Sequence, residues 1–183
     1  MEQNISDLLS DDKEVIRNAA ERIKNEGDLK IVPALFDILQ QPAITHTTEA
    51  AVAEILADIR DTSFIKVLQN AIIESKDNPE FQAKLVRVCW ESSMDFSNLL
   101  PLLCDIAIKG NFMAAMEATT AIEEQLRFAD HDMLHDMKSL LLNSSQQDSP
   151  FAEQILNIVQ GALEDIHDHE GEECDCNCDC HEH

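Results

Sequence analysis

A repeating interval governs this chain. Four segments each place an aspartate ahead of an apolar run: DLKIVPALFDIL from Asp28, DTSFIKVLQNAI from Asp61, DFSNLLPLLCDIAI from Asp95 and DHDMLHDMKSLL from Asp130. Successive aspartates lie 33, 34 and 35 residues apart. Seven to eight residues further on comes a large apolar anchor, Leu35, Leu68, Leu103 and Met137, at intervals of 33, 35 and 34 residues. The third and fourth positions beyond each anchor are apolar as well: Ile38 and Leu39, Ala71 and Ile72, Ile106 and Ala107, Leu140 and Leu141. Nine residues before each aspartate stand Ala19, Val52, Val86 and Ala121, small enough for a second helix to pack closely. Self-similarity at such a period marks an array of supersecondary units, each unable to bury its faces alone.

The period within each unit is helical. Apolar residues recur three and four apart rather than alternating, and with 4 glycines, 5 prolines and no tyrosine the chain reads as all-α. Ser10 before DDKEVIRNAAERI, Thr47 or Thr48 before EAAVAEILADI, and Asn78 with Pro79 before EFQAKLVRVCW are the expected N-caps. Each unit is then a helix, a short turn holding the aspartate, a second helix and a loop, with QQPAIT, ESKDNPE and KGN between units. The aspartate carboxylate caps the second helix and suits the positive end of its dipole. PFAEQILNIVQGALED, residues 150 to 165, reads as a terminal capping helix, and residues 1 to 9 as a short helix or ordered cap at the other end.

Over residues 11 to 145 the period, the inter-helix aspartate and the IVPALFDIL and LLPLLCDI segments resemble the HEAT-repeat family. A proline just before the anchor leucine is frequent in that family; here Pro33 and Pro101 occupy the position, with Lys66 and His135 near it in the other units. The resemblance implies an α-solenoid of about four helical hairpins over residues 1–163, whose second helices line a concave, protein-binding side. On those helices the position two beyond each anchor is polar throughout, Asp37, Asn70, Asp105 and Ser139, a candidate docking strip for a protein with a basic or polar surface.

Charge removes several function classes. Lys plus Arg number 13 against 36 for Asp plus Glu, a formal net charge of −23, and no basic cluster exists to neutralise phosphates or meet an anionic membrane. The start, MEQNISDLLSDDKEV, has neither a basic n-region nor a long apolar run, so a cytoplasmic location is the expectation. Enzymatic relatives of the HEAT type find little support. The hydroxylases would need His-Glu pairs within the repeats, and the only such pairs are His169 with Glu170 and His181 with Glu182. DNA glycosylases of this type need a basic face. A HEAT-type lyase, or another enzyme with an unrecognised site, stays an alternative on architecture alone.

The last stretch is different in kind. Residues 164 to 183 hold nine acids, four histidines, four cysteines and one glycine, and no Lys or Arg follows Lys138. Such a segment cannot offset its ordering entropy and is expected to be disordered without a ligand. In a reducing compartment Cys174, Cys176, Cys178 and Cys180 read as metal ligands before they read as disulfides. Thiols two residues apart on an extended strand lie about 6.6–7 Å apart, whereas tetrahedral zinc with bonds near 2.3 Å brings sulfurs to about 3.8 Å, so the tract must curl around an ion. With His167, His169, His181 and His183 the donor set favours zinc or copper. Its dense CxC usage is similar to that of metallothioneins. A second candidate lies in the body, where His131 and His135 share a helix face beside Asp132 and Asp136. The chain is thus expected to be a non-enzymatic interaction scaffold with a metal-binding tail, and alternatively a metal sequestration or delivery protein.

Overall fold

The computed structural model of the chain describes residues 2–143 and 150–170, with side chains described for 2–142 and 151–165. Among these residues there are ten α-helices and no strand. They are α1 (Glu2–Leu8), α2 (Lys13–Glu26), α3 (Val32–Leu39), α4 (His46–Ala57), α5 (Ser63–Glu74), α6 (Pro79–Glu91), α7 (Leu100–Lys109), α8 (Phe112–Gln125), α9 (His131–Asn143) and α10 (Pro150–Glu170). None is long and apolar enough to cross a membrane.

The four aspartates act at helix starts. Asp28 accepts the backbone N–H of Lys30 at 3.0 Å, Asp61 that of Ser63 at 2.9 Å, Asp95 that of Ser97 at 2.9 Å, and Asp130 that of Met133 at 2.8 Å. In the first and third units the capped element is a single 3-10 turn, Leu29–Ile31 or Ser97–Leu99, and the α-helix proper begins after it. Pro33 and Pro101 then occupy the first turn of α3 and α7, where a missing N–H costs nothing.

Other termini differ from the sequence expectation. Asp12 rather than Ser10 caps α2, accepting from Glu14 at 2.8 Å, while Ser10 accepts from Asp12 at 3.1 Å. Thr45 rather than Thr47 or Thr48 caps α4; its hydroxyl reaches the N–H three residues on, at Thr48, which becomes the third helical residue. Asn78 caps α6 as expected, with Pro79 in the first turn. α2 stops at Gly27, whose φ of 62° only glycine adopts without strain and whose N–H closes on Ile23.

The repeated apolar positions form the core. Leu35, Leu68 and Leu103 are 0 % exposed and Met137 is 2 %, while Ala19, Val52, Val86 and Ala121 are all 0 % exposed. Each anchor leucine held away from water contributes about 1.5–3 kcal/mol. Two positions break the pattern: Ala71 is half-buried, and Leu140, which borders an open groove between α7 and α9, is 42 % exposed. Successive first helices are in contact, α2 with α4, α4 with α6 and α6 with α8, and the second helices α3, α5 and α7 pack on the first helix that follows. α10 closes the last unit by packing on α7, α8 and α9. It extends to Glu170, past the point at which the acidic segment was expected to lose structure.

Polar contacts stitch the row together. Lys24 of α2 meets Glu54 of α4 at 2.6 Å, Lys84 of α6 meets Glu49 of α4 at 3.0 Å, and the indole N–H of Trp90 in α6 donates to Glu117 of α8 at 2.7 Å. Lys24 also reaches Asp58, just past α4, at 2.8 Å, so carboxylates are the acceptors at all three junctions. Deeper still, Gln125 at the end of α8 is 0 % exposed and accepts the N–H of Phe96 at 2.7 Å while donating to the Cys89 carbonyl at 2.8 Å. That one amide fixes the connection between α6 and α7 onto α8.

Candidate partner-binding groove and metal-ligating residues

α8 is apolar on more sides than its core contact requires. Asn111 accepts the N–H of Ala114 at 2.9 Å and so sets the phase of the helix. In that phase Ala114, Ala118, Ala121 and Ile122 point into the core. Phe112, Met113 and Met116 then fall on the outer side, 69 %, 51 % and 39 % exposed. Positions one turn apart on a helix are neighbours, so the three make a continuous apolar patch. The Phe112 ring lies 5.9 Å from that of Phe151 in α10, which extends the patch towards the capping helix.

Phe112 and Met113 also line a groove of about 640 Å³ that runs over α6 to Glu49 of α4. Pro79, Ala83 and Asn111 line it with them, and the charged side chains of Glu49, Glu80, Lys84, Arg87 and Glu117 make the rest of its wall. Both cations of the wall are engaged by acids. Lys84 reaches Glu49 and, at 3.7 Å, Glu80; Arg87 pairs with Glu91 at 2.6 Å and lies 5.7 Å from the centre of the Trp90 ring. The Glu80 side chain is 82 % exposed, so the groove offers carboxylate to the solvent beside an apolar surface. Sequence reasoning did not single out Phe112 or Met113; the signal available was the run of apolar residues in the first turn of α8.

The four polar positions of the second helices, Asp37, Asn70, Asp105 and Ser139, are all exposed. Asp105 forms an ion pair with Lys109 one turn on. Asp37 lines another groove, of about 520 Å³, together with Glu74 and Asp77. This surface too is acidic.

The metal candidates divide. Cys174, Cys176, Cys178, Cys180, His181 and His183 lie outside the described residues. Positions 167 and 169 belong to α10, and the side chains of His167 and His169 lie outside the described set. In the body, His131 and His135 bring their Nε2 atoms to 3.2 Å, with ring centres 4.4 Å apart. Among the described residues no group of three or more His, Cys, Asp or Glu side chains could hold an ion. The two body cysteines are not donors either. Cys89 and Cys104 are buried, and desolvation pushes both thiols up to about 12, with the Asp105 charge adding to the effect at Cys104. They are protonated at neutral pH and act as core residues.

No family model matches the chain, and no curated protein or solved structure is significantly similar to it.

Proposed function

We propose that this chain is a non-enzymatic protein-interaction module, a row of four HEAT-like helical hairpins that docks a basic amphipathic helix from a partner protein. One observation carries the reading: Phe112 and Met113, with Met116 beside them, present exposed apolar surface, and the first two line a groove bordered by glutamates. Flexible methionines beside an aromatic ring suit an apolar helix face. The carboxylates of Glu49 and Glu80, on a chain of net charge −23, suit Lys and Arg on the opposite edge of that helix. The strip of Asp37, Asn70, Asp105 and Ser139 is the second candidate surface, and it would favour basic partners for the same reason. Within this reading the Cys/His tract is an accessory arm for zinc or copper, and the module works in the cytoplasm.

The test is a fluorescence-anisotropy titration with a labelled model peptide of about 18 residues, leucine and phenylalanine on one helical face and lysine on the other. Replacing Phe112 by Ser is expected to weaken binding about tenfold or more, the effect of losing one buried aromatic contact. Equal affinity for Phe112→Ser, or equally tight binding of a peptide with the same composition and a scrambled pattern, would overturn the proposal.

A further inference from the structure

The geometry points to a second metal site, independent of the Cys/His tract: His131 and His135 on α9 form a two-imidazole clamp for a borderline divalent ion such as copper(II), nickel or zinc. The pair occupies the first two turns of α9, where residues four apart share a face. Their facing atoms are the two Nε2 nitrogens, 3.2 Å apart. With metal–nitrogen bonds of about 2.0–2.1 Å, two nitrogens at that separation subtend roughly 100–105° at a shared ion. That angle lies between the ~90° of square-planar or octahedral neighbours and the ~109° of a tetrahedron. Both common arrangements are therefore within reach of the pair. The terminal ring torsions that set the facing nitrogens lie in broad wells.

Without an ion, one imidazole donates its Nε2 proton to the other. To bind, the donor ring must free that nitrogen. Its proton transfers to its own Nδ1 through solvent, so the ring stays neutral and no proton is lost to the bulk. At His131 the Asp132 carboxylate lies 3.9 Å from Nδ1. No third protein donor is arranged there among the described residues, so the pair supplies two of the ion's coordination positions.

The location gives the site a use. Leu134, one residue before His135, lines a groove with Gly161, Ala162 and Asp165, so the start of α9 lies beside the later turns of α10. An ion held by the clamp is on the end of the body from which the Cys/His tract continues.

The experiment uses the full chain with every tract donor replaced: Cys174, Cys176, Cys178 and Cys180→Ser with His167, His169, His181 and His183→Gln. Titrated with copper(II) and followed by electron paramagnetic resonance, this protein is expected to take up one ion with a two-imidazole nitrogen signature. His131→Gln or His135→Gln in the same background should weaken uptake about tenfold or more, as the chelate is lost. Circular dichroism confirms that the surface substitutions leave the helices intact. The inference is overturned if the tract-substituted chain binds no copper, or if its copper survives both histidine substitutions. The tract's own reading is decided separately, by whether the unsubstituted chain binds additional metal.

Discussion

Gln125→Leu isolates how much one buried amide stabilises this fold. The side chain is 0 % exposed and makes two short hydrogen bonds, accepting from Phe96 N–H at 2.7 Å and donating to the Cys89 carbonyl at 2.8 Å; a third contact, to the Met94 carbonyl, is long at 3.4 Å. Leucine fills nearly the same volume and so separates polarity from packing. It leaves one buried N–H and one buried carbonyl without these partners, each costing about 1–3 kcal/mol, against a modest gain in apolar burial. The Cys89 carbonyl is in the last turn of α6, where intrahelical donors run out. The net loss is expected to be about 2–4 kcal/mol. In urea denaturation followed by far-ultraviolet circular dichroism, a slope of about 2–3 kcal/mol/M converts this to a midpoint lowered by roughly 1 M. Gln82→Leu supplies the internal comparison. Gln82 donates to the Ile72 carbonyl at 3.1 Å, but the Ser75 hydroxyl donates to the same oxygen at 2.9 Å, so that carbonyl stays satisfied. Its loss should be about 1 kcal/mol. The reasoning is refuted if Gln125→Leu costs no more than Gln82→Leu, or stabilises the protein.

Three further outcomes follow from the same geometry. Because burial holds Cys89 and Cys104 protonated up to about 12, while a thiol in the unfolded chain ionises near 9, the folded state binds these protons more tightly. Their contribution is intact below pH ~9 and is lost above it by up to about 1.4 kcal/mol per pH unit for each thiol. Urea titrations at pH 8 and pH 10 should show the decline, and Cys104→Ala should reduce it by about half. Lys24 is held above its usual range by the hydrogen bonds it donates to Asp58 and Glu54, so its contribution is present below pH ~10.5 and fades as pH rises through the folded value. The pair is partly exposed, and Lys24→Met should cost only about 0.5–1 kcal/mol at pH 7, measured by the same titration. Protein purified without chelator should carry zinc or copper by elemental analysis, and Cys174, Cys176, Cys178 and Cys180→Ser should lose most of it.

Much of this architecture is written in the sequence because the repeat over-determines it. The aspartates at 28, 61, 95 and 130 announce helix starts through a local hydrogen bond, and the anchors and small residues nine positions upstream all go to the core. What eluded the sequence depends on contacts between units. Gln125 looks like an exposed polar residue near the end of a helix, and only the return of the α6–α7 connection makes it a buried acceptor. Thr45 wins the α4 cap over Thr47 and Thr48 because its hydroxyl meets the N–H three residues on, a distinction that three nearby threonines conceal. Phe112 and Met113 are exposed because Asn111 fixes the phase of α8 and the alanines take its inward face. The polar strip of Asp37, Asn70, Asp105 and Ser139 was legible as exposed surface, since it lies opposite the anchors. The apolar groove on the other helices was not.

Of the six methionines, Met113 lines the proposed docking groove and Met116 lies in the adjoining apolar patch of α8, while Met94 and Met137 are in the core. A titration of Met methyl-labelled protein with the basic amphipathic peptide, followed by methyl nuclear magnetic resonance, therefore reads the site directly. Shifts concentrated at Met113 and Met116, with Met94 and Met137 unmoved, are the predicted result. Shifts at Met133 with Met113 and Met116 unchanged, or no shift at peptide concentrations that saturate the anisotropy signal, would contradict the groove as the docking surface.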